Sequence, residues 1–204
     1  MAKYDDIRHD IKTGDLVLFS GKGGISEGIK LFTVSKWSHV AMALRVPEWE
    51  LVLVWESTTV SNLKDVVDGV AKRGVQLVVL SDRIRTYKGE VSIRHLRGID
   101  VNSDGHARDA LRALRSEVRN RPYEEDKLQL IRATLDGPFG IGENDADLSS
   151  LFCSELIAEA YQRMGLLPSE PPSNEYTPKD FSDKGSLKLL RGVTLTPEFP
   201  VTIA

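Results

Sequence analysis

The sequence contains very little cysteine: Cys153 is the only one in 204 residues. One cysteine cannot form an intramolecular disulfide, so the fold needs no oxidising compartment. The chain also has only four histidines, and together with one cysteine these show no classical zinc-binding spacing. We therefore expect neither a bound metal nor another cofactor.

Excess charge and long apolar runs are missing as well. The formal net charge is −3, without a large block of one sign, so the chain lacks the electrostatic pattern of a nucleic-acid-binding protein. No apolar run approaches the roughly 20 residues that span a bilayer. The N-terminal stretch MAKYDDIRHD is polar and mixed in charge, unlike a signal peptide. We expect no transmembrane segment and a cytoplasmic location by default; the sequence does not indicate an oligomeric state.

The length and composition predict a single domain that spans residues 1–204. Apolar runs of strand type come early, and segments with helical spacing or helix-start signals dominate later. The predicted strands are 14–20, 37–46, 50–59, 75–80 and 90–96, and the predicted helices are 25–34, 104–119, 121–135 and 151–164. Residues 21–24 are interpreted as a flexible turn, 61–74 as a short helix or loop, and 136–150 as a loop. This order favours an α+β fold in which an antiparallel sheet packs against helices.

The lone cysteine lies in the stretch LFCSELIAEAY, residues 151–161, which has the spacing of an amphipathic helix ending near Gly165. Ser149 or Ser150 could cap this helix, which would place Cys153 in its first turn. There the helix dipole and unpaired N–H groups would favour a thiolate and could stabilise an oxyanion. A lone cysteine is nevertheless most often a buried small hydrophobe.

A nucleophilic thiol needs a general base, usually a histidine, and often a group that orients it. Among the four histidines His39 stands out, because it shares its strand face with Trp37 and small alanines. Glu56 lies in the next predicted strand, on a face otherwise formed by valines, where a carboxylate needs a partner. Cys153, His39 and Glu56 therefore form a candidate set of nucleophile, base and orienting group. Taken singly, His39 could be structural and Glu56 could face solvent.

The order of six short motifs resembles a known family. GDLVLF, WSHVAM, VWEST, RPYEED, FCSELIAEAY and YTPKDF follow one another along the chain. This order resembles the circularly permuted papain-like proteins of the NlpC-type superfamily, in the YiiX-like branch, in which the histidine strand precedes the cysteine helix. The resemblance covers residues 14–60 and 121–182.

The resemblance implies a permuted papain-like fold and assigns roles by position. Cys153 matches the nucleophile, His39 the base and Glu56 the third polar residue. Tyr123 matches a recurrent tyrosine that could donate to an oxyanion or substrate, although it could equally be a packing residue. Trp37 and Ser38 match the residues before the histidine and would form the wall of a substrate cleft.

The resemblance also implies a function. We expect a cysteine hydrolase that cleaves an amide or ester bond in a peptide, a cell-wall-type linkage or an acyl lipid, through an acyl-enzyme. The alternative is a non-catalytic module on the same fold that binds a peptide, an amino acid or a lipid. A weaker third hypothesis is acyl transfer to an acceptor other than water.

Overall fold

In a computed structural model of the chain, the described residues are 1–21, 35–58, 60–119 and 145–203, with only the backbone described for 145–151. Within these ranges the chain forms strands and helices in mixed order. They are β1 (Ala2–Lys3), α1 (Tyr4–Ile7), β2 (Leu16–Gly21), β3 (His39–Val46), β4 (Leu51–Thr58), β5 (Gly74–Val79), α2 (Leu80–Thr86), β6 (Gly89–Arg94), β7 (Leu96–Arg97), α3 (Gly105–Arg119), α4 (Asp145–Arg163), β8 (Thr194–Leu195) and β9 (Phe199–Thr202). No helix in these ranges is both long enough and apolar enough to cross a membrane.

A seven-stranded sheet organises the molecule, in the order β1-β9-β6-β2-β3-β4-β5. Only the pair β1–β9 is parallel, and every other neighbouring pair is antiparallel. β3 and β4 form a hairpin through a short 3₁₀ turn at Pro47–Trp49, as the sequence predicted. The expected α+β class, with a large sheet packed against helices, is confirmed.

The two faces of the sheet pack against different helices, because successive side chains of a strand point to opposite faces. On one face, side chains of α3 and α4 pack against the strands; this core includes Met42, Trp55, Leu111, Leu114, Ile157 and Tyr161. On the other face, α2 contributes to a smaller core that includes Val17, Phe19, Ala43, Val54, Leu80 and Ile84. His39 and Glu56 keep the alternation of Ala43 and Val54, so both belong to the α2 face.

The C-terminal end of α4 confirms the predicted cap at Gly165. This glycine has a φ of +71°, a left-handed conformation that side-chain-bearing residues rarely adopt. The amide of Gly165 donates to the carbonyl of Gln162 at 2.9 Å, and the amide of Leu166 donates to the carbonyl of Tyr161 at 2.8 Å. These two bonds form a Schellman motif, which satisfies carbonyls left open at the end of the helix.

Several boundaries differ from the sequence predictions. The strand expected over 75–80 ends at Val79, and Leu80 begins α2, a helix that was not anticipated. The expected loop 136–150 is wrong over 145–150, since α4 begins at Asp145. Near the C-terminus the chain adds the short strands β8 and β9. The predictions for the glycine-rich turn beyond Gly21, the helix 25–34 and the helix 121–135 lie outside the described residues.

Candidate active site

His39 and Glu56 are in direct contact, as the sequence predicted. β3 and β4 are antiparallel neighbours, and both side chains project from the same face of the sheet. His39 Nε2 lies 2.8 Å from Glu56 Oε2. The Glu56 side chain is 1% exposed and that of His39 is 12% exposed, so this contact is largely shielded from water. Phe19, opposite His39 in β2, packs against the imidazole with ring centroids 5.3 Å apart.

Cys153 completes this set from α4. Its thiol lies close enough to His39 to raise the pKa of the imidazole, and because Glu56 occupies Nε2, the remaining ring nitrogen, Nδ1, is the one available to the thiol. Cys153 itself is fully buried. The structure thus brings together the three residues that the sequence proposed as nucleophile, base and orienting group.

Electrostatics in this cluster favour the charged forms of His39 and Glu56. Burial lowers the pKa of His39, but the neighbouring Cys153, followed by the hydrogen bond and charge of Glu56, raises it to about 9. For Glu56, burial alone would raise the pKa, whereas the hydrogen bond to His39 and the charge of Arg83 bring it below its ordinary value. At neutral pH this geometry therefore supports an imidazolium beside a carboxylate, which is the charge state that stabilises a neighbouring thiolate.

The position of Cys153 within its helix differs from the prediction. α4 begins at Asp145, eight residues before Cys153, so Cys153 lies beyond the second turn. The helix dipole acts mainly within the first turn, and the N–H groups of inner turns are bonded within the helix. The helix terminus therefore does not supply the electrostatic effect that the sequence predicted at Cys153.

Arg83 and Gln76 are functional candidates that the sequence interpretation missed. Arg83, from α2, is only 2% exposed, and its Nε and Nη2 donate to Glu56 Oε1 at 2.8 and 2.5 Å. Gln76 Nε2, from β5, donates to the same oxygen at 2.9 Å. Nη1 of Arg83 donates to Asn62 Oδ1 at 2.9 Å. Together these groups hold the Glu56 carboxylate charged and fixed in orientation.

A signal for Arg83 was present in the sequence. Leu80, Arg83, Ile84 and Tyr87 have the i, i+3, i+4, i+7 spacing of one helical face. An arginine on such a face needs a buried acidic partner, and Glu56 was the carboxylate already in need of one. No comparable pattern indicates Gln76, because its contact depends on the pairing of β5 with β4.

The predicted cleft residues Trp37 and Ser38 are buried and make structural hydrogen bonds. Trp37 is 2% exposed, and its Nε1 donates to Glu198 Oε1 at 2.8 Å. Ser38 Oγ donates to the carbonyl of Phe19 at 3.3 Å and accepts from the amide of Gly21 at 3.4 Å. Their role as substrate-cleft residues stays a prediction.

Tyr123, the tyrosine predicted near the site, lies outside the described residues, but another tyrosine lies close by. Burial raises the pKa of Tyr87 to about 12, and the charges of Glu56 and Cys153 act on it as well. Its ring packs edge-on against Phe19, with centroids 4.9 Å apart. The sequence interpretation did not identify Tyr87.

Comparisons with known proteins give little further information. No protein-family model matches the chain, and no curated protein matches it. Among solved structures, the chain is similar to the metalloprotein YiiX from Escherichia coli O157:H7, with 20% sequence identity and a TM-score of 0.46. The match covers 76% of this chain and 66% of that one. A likeness at this level carries no functional argument.

The described residues contain no group of three or more histidine, cysteine, aspartate or glutamate side chains arranged to bind a metal ion. The second buried histidine, His95, instead has a structural environment. Its Nδ1 lies 2.6 Å from Asp15 Oδ2, and Asp15 also accepts hydrogen bonds from the amides of Lys12 and Leu96. This pair ties the start of β2 to β7.

Proposed function

We propose that this protein is a cysteine hydrolase that cleaves an amide or ester bond through an acyl-enzyme, on a permuted papain-like fold. The observation that carries the proposal is the placement of His39 between Cys153 and Glu56, with 2.8 Å between His39 Nε2 and Glu56 Oε2 and the thiol close enough to raise the pKa of His39. The consecutive strands β3 and β4 supply His39 and Glu56, and the helix α4, far along the chain, supplies Cys153. A nucleophile, a base and an orienting carboxylate in mutual contact are the requirement for thiol-dependent acyl transfer.

In the proposed reaction, the thiol proton of Cys153 resides on His39, and the thiolate attacks the carbonyl carbon of the substrate. The tetrahedral intermediate collapses to a thioester, and the imidazolium donates its proton to the departing amine or alcohol. A water molecule then attacks the thioester, with His39 accepting its proton. Collapse releases the carboxylic acid and returns the proton to the Cys153–His39 pair. Glu56 remains ionised and holds the imidazole throughout.

The test is a pair of activity-based probes, one with an amide and one with an ester, followed by mass spectrometry of the intact protein and of the Cys153 peptide. We expect a mass increase equal to the acyl group on Cys153, which decays as water releases the acid. The Cys153→Ser variant should show no thioester. The proposal is contradicted if neither probe modifies the wild-type protein and the wild type and His39→Gln give the same result.

A second candidate function rests on the burial of Cys153. Its side chain is fully buried, whereas an attacking sulfur must reach a substrate carbonyl. This favours a binding module in which the Cys153–His39–Glu56 cluster is structural. Iodoacetamide distinguishes the two, because Cys153 is the only cysteine. Fast modification near neutral pH supports the hydrolase, and modification only at the rate of global unfolding supports the binding module.

A further inference from the structure

A cationic groove lies between α3 and the connection from β4 to β5. It has a volume of about 300 Å³, at the lower end of the range for small-molecule sites. Trp55, Val67, Val75 and Leu77 supply its apolar lining, and Lys72, Arg112, Arg115 and Arg119 supply its cationic lining. Lys72 and Arg119 are paired with Asp68, so the excess positive charge of the groove comes from Arg112 and Arg115.

Two of these cations have no counter-charge in contact with them among the described residues. Arg112 and Arg115 make no hydrogen bond or ion pair with any residue in the described ranges. Arg115 is half-buried, and burial together with the charge of Arg112 lowers its pKa, against the attraction of Asp65. An oxyanion between the two guanidinium groups would offset both the burial of Arg115 and its repulsion by Arg112. Guanidinium groups bind such oxygens through paired hydrogen bonds.

The acidic residue that lines the groove is already engaged. Asp65 Oδ1 accepts the amides of Val67 and Asp68 at 2.8 and 2.9 Å, and Oδ2 accepts the amide of Leu77 at 2.8 Å. Lys72 Nζ lies 3.5 Å from Asp65 Oδ2. Asp65 therefore fixes the wall of the groove, and its charge is largely satisfied there.

The same wall presents apolar surface to solvent. Val66, Val67 and Val70 are 46%, 48% and 56% exposed. All three follow closely after Asp65, whose side chain binds the amides of Val67 and Asp68. Exposed valines beside guanidinium groups that have no partner in the described ranges are complementary to a ligand with an apolar portion as well as a negative charge.

We propose that this groove binds an amphiphilic anion, with its oxyanion headgroup between Arg112 and Arg115 and its apolar chain along Val67 and Trp55. Gln76 lines the groove and also hydrogen-bonds to Glu56, but the proposal does not require Cys153 to be catalytic. The ligand class follows from the apolar lining and the cationic rim together, since neither feature alone calls for both parts of an amphiphile.

Isothermal titration calorimetry with three soluble probes tests this proposal: monododecyl phosphate below its micelle concentration, inorganic phosphate, and dodecyl maltoside. We expect monododecyl phosphate to bind at least tenfold more tightly than either of the others. Equal binding of inorganic phosphate would reduce the groove to a simple anion site, and equal binding of dodecyl maltoside would reduce it to an apolar surface. Either result overturns the proposal.

Variants then locate the site. Arg112→Gln combined with Arg115→Gln should weaken binding of monododecyl phosphate at least tenfold, and Val67→Asp, at an exposed position, should do the same. Arg108→Gln is the matched control, because Arg108 lies on the same helix, pairs with Asp109 at 3.0 Å and does not line the groove. An equal loss in the control would indicate a general charge effect and overturn the proposal. Sedimentation with phosphatidylglycerol vesicles, in the absence of any binding to the monomeric probe, would assign the groove to a membrane surface instead.

Cys153→Ser separates this proposal from the hydrolase. We expect the variant to bind monododecyl phosphate with unchanged affinity, whether or not the wild-type protein forms a thioester. A loss of binding in this variant would place the ligand at Cys153 and overturn the assignment to the groove.

Discussion

Arg83 donates two hydrogen bonds to one carboxylate oxygen of Glu56, Oε1, while His39 contacts the other oxygen, Oε2. One oxygen of the carboxylate therefore binds the permanently charged Arg83, and the other binds the titratable His39. Glu56 and Arg83 are 1% and 2% exposed, so each depends on the other for its charge to be tolerated. In the proposed mechanism, Arg83 is a positioning residue that acts on His39 through Glu56.

The first prediction concerns Arg83→Gln. Removing the guanidinium leaves Glu56 as a buried charge without its permanently charged partner, which costs about 3–5 kcal/mol of unfolding free energy in comparable buried pairs. The rate at which iodoacetamide modifies Cys153 should also change its pH profile, because Glu56 would hold a proton at higher pH. Urea unfolding and alkylation rates measure the two effects.

Arg85→Gln is the control for this variant. Arg85 lies on the same helix, is exposed and pairs with Asp82 at 2.6 Å. Exposed pairs contribute at most about 1 kcal/mol, so its unfolding free energy and alkylation profile should stay close to those of the wild type. Indistinguishable behaviour of the two variants would remove Arg83 from the network.

The second prediction concerns Glu56. Glu56→Gln can still accept a hydrogen bond from the His39 ring, but it removes the charge that stabilises the imidazolium. Alkylation of Cys153 near neutral pH should slow, and Glu56→Ala should slow it further because orientation is lost as well. Glu48→Gln, on the exposed turn between β3 and β4, serves as the control. Superimposable rate–pH profiles would leave a Cys153–His39 pair without Glu56.

A double replacement separates the structural role of this pair from its functional role. Glu56→Leu with Arg83→Met replaces two buried charges by apolar groups, an exchange that is often neutral or even stabilising by about 1–4 kcal/mol. We expect the double variant to be more stable than Arg83→Gln alone, yet to show the slow alkylation of Glu56→Ala. Restored alkylation in the double variant would contradict a role for Glu56 in charging His39.

The pH dependence of stability gives a further prediction. The pKa of His39 is raised from its ordinary value of 6.5 to about 9 in the folded protein, so the folded state holds this proton more tightly than the unfolded state. The resulting stabilisation is complete below about pH 6.5 and is lost as the pH rises through about 9. Urea unfolding between pH 6 and about 9.5 should therefore show a decline for wild type that His39→Gln lacks. Parallel curves would contradict the charged state of His39.

Cys153→Ser tests whether the cysteine is structural. The substitution changes little volume, so we expect the unfolding free energy to fall by no more than about 1–2 kcal/mol, within the usual range of single substitutions. Acylation by the amide and ester probes should cease. A loss above about 4 kcal/mol would indicate that the thiol is needed for packing.

Much of the site could be predicted from the sequence, because it depends on local periodicity. The alternation in β3 and β4 places His39 and Glu56 on one face as soon as the two strands are recognised as a hairpin. The single cysteine, on a helix with a regular apolar face, leaves few candidates for a nucleophile. The cap at Gly165 is equally local, since it rests on the need for a left-handed conformation after the last helical turn.

Only the tertiary structure decided which polar and charged groups from different parts of the chain come into contact. Arg83 reaches Glu56 because α2 packs on the face of the sheet that carries His39, and Gln76 reaches it because β5 pairs with β4 at that register. The sequence also did not predict that α4 begins at Asp145. Because of this early start, Cys153 lies outside the first turn and the expected dipole effect is lost. Periodicity determines the face of an element on which a side chain lies. The contacts between faces depend on how elements far apart in the chain pack together, and no local pattern contains that information.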